Sequence, residues 1–101
     1  MTLDEFKQSL SEKFPPKQMS PLLKSLWYDG KNDWDEAHNI AQEIHSDDGS
    51  WVHAYLHRKE GDISNASYWY HHANKPVSRC SLEKEWEDIV KTFLEKIPNH
   101  S

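Results

Sequence analysis

One cysteine, three glycines and no long apolar run are the first limits set by this chain of 101 residues. With Cys80 alone, no intrachain disulfide can form, which fits a reducing compartment. Three glycines leave little material for a loop that cradles phosphates. Neither a P-loop, a dinucleotide fingerprint nor a Gly-x-Ser-x-Gly elbow occurs. No stretch approaches the ~20 apolar residues of a membrane span. The opening Met1-Thr-Leu-Asp-Glu-Phe-Lys7 has neither the basic nor the apolar part of a signal peptide. The expectation from these absences is a cytoplasmic protein without a membrane partner.

Basic charge is also scarce. Twelve Lys and Arg face seventeen Asp and Glu, a net charge of −5 with His neutral, and no Lys/Arg run exceeds two residues. Phosphate neutralisation supplies most nucleic-acid affinity, so no nucleic-acid partner is expected. Seven His would add positive charge below about pH 6.5. Hydrophobic residues make up only 36%, but five are Trp. Each large aromatic buries roughly 150–250 Å², so few residues can build a core. The length predicts a single helical domain over residues 1–101.

The periodicity is helical throughout. Thr2 and Glu5 form a capping box ahead of Leu3, Phe6, Leu10 and Phe14, and Pro15-Pro16 ends that helix. Ser20-Pro21 opens a second helix, with Leu22, Leu23, Leu26 and Trp27 on one face and Gly30 as its left-handed stop. Asp33 and Glu36 cap a third, carrying Trp34, Ala37, Ala41 and Ile44 to about His45. Ser46-Asp-Asp-Gly-Ser50 reads as a turn. The fourth and fifth helices cover about 51–60 and 63–74, hinged at Gly61-Asp62. Ser81 caps the sixth, with Leu82, Trp86, Ile89, Val90, Phe93, Leu94 and Ile97 in its stripe and Pro98 closing it. No segment alternates with a period of two. The expected fold is all-α, with about six helices in antiparallel hairpins, as a tetratricopeptide-like array or an irregular helical bundle.

Two units echo each other. Leu26 to Gly30, followed by Ala37 and Ala41, parallels Leu56 to Gly61, followed by Ala66 and Tyr70. The second unit resembles a tetratricopeptide repeat. Ala54 stands at the small position of the first helix, Gly61 at the turn, and Ala66, Tyr70 and Ala73 at the small, aromatic and small positions of the second. It departs from that pattern at Pro76, two residues early, and at His53 and His57, where the repeat carries Leu and Tyr. Residues 26–94 also resemble a group of small bacterial all-helical proteins without an assigned activity. The matching residues are Gly30 to His38 (Asp33-Trp-Asp-x-Ala-His38), Val52 to Asp62, Asn65-Ala66, Tyr68-Trp-Tyr70 and Glu85-Trp86. The resemblance implies a helical fold and no particular reaction.

Residues 51–76 hold four of the seven His, and there the candidate site lies. On a helical wheel Trp51, Val52, Tyr55 and Leu56 share one side of the fourth helix, and His53, His57 and Glu60 the other. His38 shares a face with Trp34, Ala37 and Ala41, so it can converge on His53 and His57. Two His one turn apart plus a third form an open metal site. Alternatively, each is a packing residue with a bonded ring nitrogen. Arg58 either forms an internal ion pair, with Asp62 or Glu36 as candidates, or clamps an anion. Tyr68 lies beside Asn65 and His72, the pattern of an exposed binding aromatic. Glu83, Glu85, Glu87 and Asp88 read as the charged face of the last helix. The candidate groove is thus His38, His53, His57, Arg58, Glu60 and Tyr68.

Three functions follow as expectations. The first is a small binding or adaptor module for a peptide or protein, without enzymatic activity and without a cofactor. The second is a protein that holds a divalent metal, or a hydrolase-type enzyme, using the histidines. The third is a structural homo-oligomer. Convergence of the three histidines separates the second from the first.

Overall fold

The computed structural model describes residues 1–96, and among them every regular element is a helix. There are six: α1 (Leu3–Ser9), α2 (Pro21–Gly30), α3 (Trp34–Gln42), α4 (Asp47–Lys59), α5 (Ile63–His72) and α6 (Leu82–Lys96). The all-α expectation holds.

Thr2 closes both arms of its capping box, accepting from Glu5 N at 3.1 Å while Glu5 accepts from Thr2 N at 2.8 Å. The helix nevertheless stops at Ser9, short of the predicted Phe14, which is 76% exposed. Ser9 and Ser11 turn their hydroxyls onto the carbonyls of Phe6 and Gln8. The next amides bond three residues back, tightening the chain out of the α-helix.

Gly30 does not end α2 in a left-handed turn; that conformation falls on Asn32, with φ 64°. Gly30 is small for another reason. A Cβ there would lie 3.0 Å from both Leu10 methyls and 3.3 Å from the Trp86 ring. Asp33 then caps α3, which ends at Gln42 rather than His45.

The predicted turn at 46–50 is instead the start of α4. Ser46 accepts from Gly49 N at 3.0 Å, and Asp47 and Asp48 occupy the first turn. Ser, Asp and Gly signal turns and helix starts alike, so composition could not separate the two.

The same stop closes α2, α4 and α5. The amides of Asp33, Asp62 and Lys75 reach back five residues to the carbonyls of Tyr28, His57 and Tyr70, at 2.9, 2.9 and 3.0 Å. Each follows a left-handed residue: Asn32 at 64°, Gly61 at 89° and Asn74 at 59°. This is the Schellman arrangement, which satisfies carbonyls a helix end leaves open. The internal echo therefore pairs Asn32, not Gly30, with Gly61. The same offset pairs Asp33 with Asp62 and Ala37 with Ala66, both alanines fully buried.

Helix α4 is the centre of the bundle, packing against α5 and α3 most extensively and also against α2 and α6. Every residue from Trp51 to His57 on it is buried. Trp86 of α6 closes the core, its indole donating to Leu26 O at 3.1 Å and its ring 5.6 Å from Phe6. Ser81 caps α6 through Lys84 N. Ile97 and Pro98, predicted to complete that helix, lie outside the described residues.

Glu85 is not part of the exposed charged face of α6. It is 3% exposed, accepting from Tyr70 Oη at 2.6 and 2.7 Å, Trp51 Nε1 at 3.3 Å and Arg58 at 2.8 Å. A second buried carboxylate, Asp29, accepts from Tyr55 Oη at 3.0 Å and Lys59 Nζ at 2.8 Å. Burial first, then the adjacent carboxylates, hold both tyrosines protonated by raising their pKa well above the ordinary value.

Candidate metal centre

Helices α3 and α4 bring three imidazoles together. His38 comes from α3 one turn beyond Trp34. His53 and His57 come from α4 one turn apart, so their rings stack at 4.7 Å and 26°. His38 meets both edge to face, at 4.7 and 5.1 Å. Its Nε2 lies 2.9 Å from Nε2 of His53. One ring nitrogen from each of the three falls within a single 4.8 Å set.

Two tryptophans fix this cluster. Trp34 stacks on His38 at 4.8 Å and 10°, and its indole N–H is locked onto Leu56 O at 2.8 Å. Trp69 of α5 stacks on His53 at 4.1 Å and 17°. Restricting the rings in this way removes rotamer freedom that a ligand would otherwise have to freeze.

The electrostatics favour neutral rings at His53 and His38. Burial, then the neighbouring His38 and His57, pushes the pKa of His53 down to about 4. Burial and His57 lower that of His38 too, against the opposing pull of Glu60 and Asp35. His53 and His57 are both 7% exposed, whereas His38 is half-buried and opens the cluster to solvent. Nδ1 of His57 donates to Glu60 Oε1 at 2.6 Å. A carboxylate only accepts, so Nδ1 carries the proton of this contact, and Nε2 is the nitrogen left for another partner. Glu60 and Asp62 also form a second, more exposed donor set with His57.

The six candidates separate. His38, His53, His57 and Glu60 come together. Tyr68 stands at the rim, 56% exposed, edge-on to Trp69 at 5.2 Å and 4.6 Å from His72. Arg58 is not in the groove. It points to α6, where it pairs with Glu85 and bonds the Cys80 carbonyl, not Asp62 or Glu36. The ion-pair reading of Arg58 therefore holds with a different partner.

Sequence reasoning missed Trp34 and Trp69 as parts of the site. Trp34 was detectable, because it precedes His38 by four residues on one helical face. Trp69 straddles the packed and open faces of α5, and only the approach of α4 decides which it serves.

No protein-family profile, curated protein or solved structure matches this chain. The geometry of the site therefore carries the functional reading.

Proposed function

We propose that the protein binds a divalent transition-metal ion of the zinc class through His38, His53 and His57. The observation that carries this reading is the convergence of the three rings within the 4.8 Å set. Zinc takes imidazole nitrogens at about 2.0–2.1 Å, which places tetrahedral ligands roughly 3.3 Å apart. The 2.9 Å His38–His53 separation needs to open by only a few tenths of an ångström to accept that ion. Ligating imidazoles must be unprotonated, and the lowered pKa values of His38 and His53 satisfy that condition. Glu60 on His57 supplies the outer carboxylate that metal-bound histidines commonly carry.

Three protein ligands leave a fourth position for water, the arrangement used in metal-assisted hydrolysis. The half-buried His38 side gives that position access to solvent. No described helix is long and apolar enough to cross a membrane. The one cysteine is exposed, which accords with a reducing compartment.

The test is calorimetric titration of the metal-free chain with zinc. One ion per chain at micromolar affinity or tighter is expected, lost in His38→Ala and His57→Ala. Absence of heat, with unchanged thermal stability in excess zinc, sinks the reading.

A second reading rests on Tyr68. Its exposed ring, with Ile63 also 53% exposed on the same helix, suits a peptide or protein partner or a second copy of the chain. A Tyr68→Ser variant that leaves both mass in light scattering and partner capture unchanged removes it.

A further inference from the structure

We propose that the cavity beside His53 binds a small monocarboxylate on a planar apolar body, and that metal at the three histidines primes it. This rests on the metal-binding reading above.

The cavity measures about 360 Å³ and lies between the end of α3, the start of α4 and α5. That is the lower end of the ~300–1,000 Å³ typical of small-molecule sites. Ala41, Ile44 and Trp69 give it an apolar wall, and His45, His53 and His72 give it nitrogen donors.

His53 decides the chemistry. It is more than nine-tenths buried and lines the cavity, yet only its Nε2 has a partner. Its Nδ1 makes no hydrogen bond among the described residues, and no fully buried side-chain nitrogen or oxygen there lacks a partner, so this atom is open to solvent. In the metal-free chain the proton shared with His38 can sit on either ring, so Nδ1 can be donor or acceptor. A metal on Nε2 removes that freedom. The neutral ring must then carry its proton on Nδ1, which becomes a donor only. A fixed donor in an apolar-walled cavity selects an acceptor, and a charged acceptor forms the stronger bond.

The remaining charge limits the ligand to one negative charge. His45 and His72 sit at the cavity wall, and the positive end of α4 opens on it. Asp47 also lines it, with a carboxylate oxygen that accepts from Asn74 at 3.2 Å. That acid tolerates a monoanion better than a phosphate. The apolar wall beside Trp69 suits a ring.

The test uses benzoate as probe, with benzamide and inorganic phosphate as comparisons, on the full chain with and without saturating zinc. Binding is read by calorimetry and by the Trp69 indole resonance. Benzoate is expected to bind the zinc-loaded chain roughly tenfold more tightly than the metal-free chain, an ordinary coupling between sites. Benzamide and phosphate should bind more weakly. His72→Ala should weaken benzoate several-fold and leave zinc affinity unchanged, which separates this cavity from direct ligation to the metal. Equal benzoate affinity with and without zinc, or with and without the His72 ring, overturns the proposal. So does benzamide or phosphate binding as well as benzoate. If zinc binds and benzoate does not, this inference alone falls; if zinc does not bind, both fall.

Discussion

Nε2 of His38 and Nε2 of His53 face each other at 2.9 Å, a distance at which one proton fits between them and two do not. Burial first, then the neighbouring His38 and His57, makes His53 resist protonation and lowers its pKa to about 4. Below its ordinary pKa of 6.5 the unfolded chain takes up this proton while the folded chain does not. Stability from the neutral ring is thus complete above about pH 6.5 and drains away as the pH falls toward 4. His38 shifts in the same direction and adds to the loss. Urea unfolding of the metal-free chain should show about 2 kcal/mol less stability at pH 5 than at pH 7.5. A His53→Gln variant should flatten that slope. An equal slope in the variant removes His53 as its cause.

Glu60 orients His57 without touching any ion, so its effect should appear as affinity rather than as stoichiometry. Its contact with Nδ1 is 2.6 Å, and its side chain is partly exposed, so the fold does not depend on it. Glu60→Gln keeps the shape and loses the charge. Zinc affinity should fall roughly 10–100-fold, the usual cost of losing such a carboxylate, while one ion per chain is still bound. An unchanged affinity would mean that His57 is held by packing against Trp34 and His53 alone.

Arg58 and Glu85 form a largely buried ion pair that joins α4 to α6, and their removal should damage stability and spare the metal. Arg58→Ala leaves Glu85 buried without its cation, a loss of roughly 3–5 kcal/mol. Tyr70→Phe removes one donor from the same carboxylate and should cost about 1–3 kcal/mol. Zinc affinity in the folded fraction of both variants should match the parent chain. Chemical denaturation and zinc titration on the same samples separate the two roles. A large fall in zinc affinity for Arg58→Ala would return Arg58 to the site.

The residues that carried most sequence information were those whose signal is local. The Thr2, Ser20, Asp33, Asp62 and Ser81 caps each depend on a contact within three residues, and all five are present. Convergence of His38, His53 and His57 was legible for a related reason: two lie one turn apart, and a short hairpin returns the third. Long-range pairing was not legible. Arg58 and Glu85 are 27 positions apart, and nothing in either helix alone reveals that α6 lays Glu85 under Tyr70 and Trp51. The stripe of α6 suggested an exposed charged face because periodicity records which side is apolar, not which acid a neighbouring hydroxyl will cover. The failures at Gly30 and at 46–50 were of another kind. There the residue types were right, but each type serves two backbone geometries.

Gly49 and Gly61 offer a direct test of those two uses of glycine. At Gly49 a Cβ would lie 2.1 Å from the Ile44 carbonyl oxygen, so the α3–α4 connection closes only over a hydrogen. At Gly61 a Cβ meets nothing within 4 Å, but φ is 89°, outside the range that side chains readily adopt. Gly61→Ala should therefore cost only the left-handed strain, about 1–2 kcal/mol. Gly49→Ala must displace backbone and should exceed about 3 kcal/mol, the upper part of the ordinary range for single substitutions. Because Gly49 also lines the cavity beside His53, its substitution should weaken benzoate binding to the zinc-loaded chain, whereas Gly61→Ala should not. Urea midpoints and benzoate titrations of the two variants check both claims. Equal destabilisation would show that the Ile44 contact relaxes freely, and that the α3–α4 corner does not hold the cavity open.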